Sequence, residues 1–180
     1  MRCAVALVRA AALGAVLAAS VGVTTPAAQA VPGGHDFTAV KQATAAYHDL
    51  ALAESSGFGL FRDAAGIACI SSAAGTMGEH YVNGARVGDP SVVETAPEIL
   101  VYLPKADGTR RLVAVEYVVI AADWAAAGNT APPSLFGHDF HLIPAGNRYG
   151  LPPFYELHAW IWQPNPAGAL ADFNPRIACP

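Results

Sequence analysis

Apolar residues recur at helical spacing near the start of the chain and then give way to short runs with strand character. Phe37, Val40, Ala43, Tyr47, Leu50 and Ala51 share one stripe of a 3.6-residue period, and Asp36 stands where an N-cap belongs. The spacing predicts a helix from about Phe37 to Ser55, ended by Gly57 and Gly59. His48 sits on the edge of that stripe, at the surface, where neighbouring helix positions offer no second ligand. From Ala65 onward the period shortens. Gly66–Ser71, Met77–Asn83 (MGEHYVN), Glu98–Pro104 (EILVYLP), Arg110–Ala121 (RRLVAVEYVVIA) and Phe154–Gln163 (FYELHAWIWQ) read as strands. Asp107-Gly108 inside the short link between the third and fourth of these is a hairpin signal. Short connections without intervening helices leave little room for crossovers, so the sheet is expected to be antiparallel. The expected class is α+β: one N-terminal helix packed on a curved antiparallel sheet, open or closed into a barrel. The Gly-, Pro- and Asn-rich stretch from Ala125 to Pro153 reads as one long loop, a kind that is usually either functional or disordered.

The two ends of the chain change this picture. Arg2 and Arg9 precede an uncharged run from Ala10 to Val23, and Ala28-Gln29-Ala30 supplies a small-x-small cleavage pattern. Residues 1–30 are therefore expected to be a signal peptide, and 31–180 a single secreted domain beginning at Val31. The apolar run falls short of the roughly 20 residues of a membrane span, which argues against a retained anchor. Losing Arg2 and Arg9 leaves eight basic residues against 14 acidic ones, a net charge of −6. Such a surface repels phosphate backbones, so no nucleic-acid partner is expected. Cys3 leaves with the signal. Cys69 and Cys179 are then expected to form one disulfide, as export exposes them to oxidation. Turn chemistry at Asn165-Pro166-Ala167-Gly168 and Asp172-Phe173-Asn174-Pro175 would bring Cys179 back toward Cys69.

No nucleophile elbow, phosphate-binding loop, HExxH or CxxC occurs in the sequence. The chemistry-bearing residues are histidines and two strand glutamates. Glu116 projects with Ala114 and Val118 from the most hydrophobic strand, where a lone carboxylate is costly unless paired, protonated or bound to a cation. On the last strand, period two puts Glu156, His158, Trp160 and Trp162 on one face. His80, Glu116 and His158, with His141 supplied by the long loop (GHDFH), make a candidate metal set. Imidazole and carboxylate together suit a divalent transition ion such as Zn²⁺ or Cu²⁺. Against this stands a plain polar network, in which Tyr81, Tyr117 or Tyr155 satisfies the buried glutamate. Trp160 and Trp162, with Phe154, read either as core against the N-terminal helix or as the wall of a small-ligand pocket.

The blocks MGEHYVN, PEILVYLP, RRLVAVEYVV, LFGHDFH and YELHAWIWQPNPAGALADFNPRIAC resemble, in order, an uncharacterised family of small secreted bacterial proteins. The resemblance spans nearly all of the expected mature chain, and its C-terminal block is the most specific part. It implies that His80, Glu116, His141 and His158 match positions of the family pattern while His138 falls at a variable one, and it implies no activity. The histidines and glutamate on strands loosely resemble a cupin, but the HxH pair that opens a cupin metal site is missing. The expected function is a secreted metal-binding protein. The alternatives are a small-ligand-binding barrel with an aromatic pocket, and an interaction protein with no site.

Overall fold

A computed structural model describes residues 34–180. The expected signal peptide and its cleavage site before Val31 lie outside the described residues. The expected N-terminal helix is present in pieces: α1 (Thr38–Thr44), a 3-10 turn (Ala45–His48) and α2 (Leu50–Ser55). The N-cap position is Phe37 rather than Asp36, which stands one residue earlier with its Oδ1 accepting from the Thr38 N–H at 2.9 Å. The break falls at Asp49, which leaves the helix in an extended conformation while its side chain accepts from the N–H groups of Ala51 and Leu52. An aspartate inside an apolar-periodic stretch competes for backbone donors and starts a new helix. Ala43 and Ala51 are exposed, while Thr44 and Ala53 are buried with Val40.

The strands are β1 (Phe58–Leu60), β2 (Cys69–Ser72), β3 (Gly75–Asn83), β4 (Ile99–Pro104), β5 (Arg110–Ile120), β6 (Ser134–Leu135), β7 (His138–Asp139), β8 (His141–Ile143) and β9 (Phe154–Ala159). Seven of them form one sheet in the order β1-β3-β4-β5-β9-β8, with β2 following β1 along the outer side of β3. Every pairing is antiparallel. The sheet ends at β8 and does not close, so the α+β class holds and the barrel does not form. The Lys105–Thr109 link is the expected hairpin: Lys105 N–H donates to the Thr109 carbonyl at 2.9 Å, and Gly108 takes φ 81°. The stretch from Ala125 to Pro153 is not a single loop. It holds the end of a short helix, α4 (Ala121–Ala126), the separate β6–β7 hairpin and the edge strand β8. Phe136-Gly137 makes the turn of that hairpin, both at positive φ, 54° and 75°.

Each face of the sheet carries a core. Val40, Ala53, Phe58, Leu100, Tyr102, Tyr117 and Leu157 pack on the face covered by α1 and α2. Val101, Ala114, Val118, Phe154 and Trp160 form the other. A bulge lets β5 serve both: Val101 pairs with Ala114 and Tyr102 with Leu112, leaving Val113 over.

The expected last strand is too long. It stops at Ala159, after which Trp160 N–H donates to the Ala169 carbonyl and Trp162 N–H to that of Val113. Alternation therefore fails beyond His158. Trp160 stays on the Phe154 side, whereas Trp162 packs in the opposite core, its ring 4.5 Å from that of His48. The expected shared face of Trp160 and Trp162 does not exist, and of the aromatic trio only Trp162 meets the helical layer.

The tail returns as expected. Cys69 and Cys179 are bonded, with Cα atoms 6.0 Å apart across 110 residues of chain. Thr76 and Asn174 exchange backbone hydrogen bonds of 3.1 and 3.0 Å, and the Trp160 indole donates to the Ala171 carbonyl at 2.6 Å.

Candidate metal centre

The second core carries four buried ionisable side chains: His80, Glu116, Glu156 and His158. Glu116 on β5 lies directly opposite His158 on β9, and Val118 opposite Glu156. Residues facing each other across an antiparallel pair share a side of the sheet. The two glutamates are thus diagonal neighbours on one face. His80 comes from β3, one strand beyond β4, where its register partner is Val101 of the same core. Its Nε2 reaches to 3.2 Å from Glu116 Oε2. That approach lacks hydrogen-bond alignment, so the carboxylate oxygen remains without a partner and the contact is electrostatic.

Three of these residues offer donor atoms that all lie within 4.8 Å of one another: His80, Glu116 and His158. An equilateral triangle of that side has its corners about 2.8 Å from the centre, so less than about 1 Å of movement per donor reaches bonds near 2.0–2.1 Å. The imidazole rings of His80 and His158 are 6.3 Å apart and steeply inclined, and the His158 ring lies 4.8 Å from Trp160.

Burial sets the protonation states. It depresses His80 to about 4, against a partial pull upward from the charge of Glu156. It pushes His158 well below the usual range, and nearby His80 adds to the effect. Both imidazoles are therefore neutral near pH 7, the form that binds metals. Burial also raises both glutamates. The neighbouring Glu156 carboxyl holds Glu116 back, while the charge of Glu116 drives Glu156 further up. The two carboxyls titrate as a pair, both above the usual carboxylate range because burial and mutual repulsion disfavour their charged forms.

Hydrogen bonding leaves this group poorly served among the described residues. His80 Nδ1, both nitrogens of His158, and one oxygen each of Glu116 and Glu156 are buried without a partner. The tyrosines expected to satisfy Glu116 do not do so. Tyr81 and Tyr117 belong to the helix-side core, as does Tyr155, and the Tyr117 hydroxyl donates to the Glu94 carbonyl at 2.6 Å.

His141 is not brought to the centre. On the edge strand β8 it pairs with Glu156 in register, but its side chain is 63% exposed and stands 3.9 Å from Asp172. His138, in the β6–β7 hairpin, is exposed and packs edge-on to His35. Glu156 is the residue that sequence reasoning left out of the set. Its signal was available: it shares the His158 face and, once β5 and β9 pair, lies one step from Glu116. Glu98 was missed as well. Buried just before β4, it accepts from the Val118 N–H at 3.0 Å, and burial raises it to about 7.

Two histidines with one or two carboxylates form a donor set used for catalytic zinc and for copper or iron, and three protein ligands leave a position for water or substrate. Comparisons with protein-family models, curated proteins and solved structures find no match. What the centre does is therefore read from its own chemistry.

Proposed function

We propose that the protein is a secreted binder of a divalent transition metal, zinc or copper, held by His80, Glu116 and His158 with Glu156 as a second carboxylate. The observation that carries this reading is His158, which is 1% exposed and has no partner on either ring nitrogen among the described residues. A core histidine kept for structure alone is normally hydrogen-bonded, because each orphaned polar group costs about 1–3 kcal/mol. Charge balance points the same way. Two neutral imidazoles and two glutamates make a buried set that becomes neutral with one dication and two ionised carboxylates. The disulfide supports an oxidising destination, and among the described residues no helix is long and apolar enough to cross a membrane.

The test uses untagged protein recovered from culture medium, whose mass also reports whether the chain starts at Val31. After dialysis against zinc and then buffer, elemental analysis should find about one ion per chain. His158→Ala and Glu116→Gln should each weaken zinc binding at least about tenfold with circular dichroism unchanged. Zinc retained equally by both variants, or by none of the proteins, would leave a satisfied structural core instead.

A further inference from the structure

A pocket of about 160 Å³ lies against the same cluster. Val82, Ile99 and Val118 line it from the sheet, and Phe61, Tyr149 and Phe154 line it with rings. The rings form a chain, with centroids 6.4 Å apart from Phe61 to Tyr149 and 5.9 Å from Tyr149 to Phe154. The wall is held in place from behind. Arg148 donates to Asp63 at 2.8 Å, and the Ala64 N–H donates to the Arg148 carbonyl, which ties the Tyr149 segment to the one following Phe61. Among its lining residues, the ionisable groups at the base are His80, Glu116 and Glu156, all more than nine-tenths buried and each with an unpartnered polar atom.

We propose that this pocket binds a small uncharged molecule, a single ring carrying one hydroxyl, with the ring among the apolar walls and the hydroxyl at the His80–Glu116–Glu156 base. Size sets the body: an apolar cavity of roughly 150 Å³ takes up benzene. The aromatic wall favours a flat occupant, which rings meet edge-on or offset. Chemistry sets the head. A hydroxyl both donates and accepts, matching a base that offers carboxyl oxygens and an imidazole nitrogen. In the metal-free protein a carboxylate head would meet two glutamates, and Arg148, the basic group whose field reaches His80, is engaged by Asp63. The preference for hydroxyl over ammonium rests on the metal reading, since a bound dication repels a second cation.

The experiment titrates benzyl alcohol, benzoate and benzylammonium into zinc-loaded protein and into EDTA-treated protein, followed by backbone amide NMR. Benzyl alcohol should give saturable shifts at Ile99, Val118 and Phe61, and bind EDTA-treated protein at least about tenfold more tightly than benzoate, because a buried carboxylate must be paired. Two variants narrow the pocket without touching the cluster. Val87→Trp fills the rim from α3 (Gly84–Val87), and Gly84→Phe starts from a position with no heavy atom within 4 Å of an added Cβ. Each should weaken benzyl alcohol at least about tenfold with zinc content unchanged. Benzyl alcohol binding to neither form, or binding undiminished in both variants, overturns the inference. Benzylammonium binding more tightly than benzyl alcohol to zinc-loaded protein overturns the choice of head group. Absent zinc uptake overturns the proposed function instead, and the shifts in EDTA-treated protein then decide the pocket separately.

Discussion

Glu116 and Glu156 give the metal-free protein an unusual dependence on pH. Burial keeps His80 and His158 neutral well below 6.5, so the unfolded chain binds more protons on them and their contribution to stability rises with pH up to about 6.5. The carboxyls act in the opposite sense. Glu98 is raised to about 7, and Glu116 and Glu156 are raised above 4.5, so the folded chain binds more protons and stability falls as pH climbs from 4.5 through the raised values. Below pH 6.5 the two trends oppose each other; above it only the carboxyls remain. Urea midpoints in EDTA should therefore decline from about pH 6.5 upward. Added zinc should shrink that decline to the part Glu98 contributes, because the ligand carboxylates Glu116 and Glu156 must ionise to bind it. A midpoint that stays flat through that window in EDTA would show that the glutamates ionise as readily folded as unfolded.

At the scale of elements, the decisive contacts sit where β3 meets the tail. Gly75 has φ 131°, and a Cβ there would lie 2.5 Å from the backbone of Asn174. Gly75→Ala should push the tail off the strand as well as strain the backbone, a loss of about 1–3 kcal/mol that a shift in urea midpoint would register. A midpoint within error of the parent would mean that the Thr76–Asn174 bridge is dispensable. Elements differ in how far the sequence displayed them. The β-rich runs and the Asp107-Gly108 hairpin were legible because alternation and turn chemistry act locally. The N-terminal helix was legible from its apolar period, but not its break, because Asp49 binds backbone donors of its own and starts a second helix. The Trp160–Trp162 face failed because the end of β9 is set by hydrogen bonds to Ala169 and Val113, remote partners no local pattern contains. His80, Glu116 and His158 were legible from the cost of burying charge. His141 was drawn in by mere availability, and its edge strand holds it out in solvent.

For the molecule as a whole, the disulfide is the covalent long-range constraint, closing 110 residues. Chain-entropy arguments put its contribution at roughly 4–5 kcal/mol as an upper figure. Reduction should lower stability by up to that amount in denaturant titrations with and without reductant. Identical curves would show that the reduced tail stays docked through its hydrogen bonds alone.

The strand order also sets when the centre can exist during folding. β3, β4 and β5 are consecutive in sequence and adjacent in space, so they can zip together by local hairpin closure. β9 reaches β5 only after a chain excursion through α4 and the β6–β7 hairpin, and such a closure is slow relative to a hairpin. His80 and Glu116 therefore come together early, while His158 and Glu156 arrive late. Zinc capture in stopped-flow refolding should lag the first gain of β-structure, with metal uptake acting as a ratchet on the final docking step.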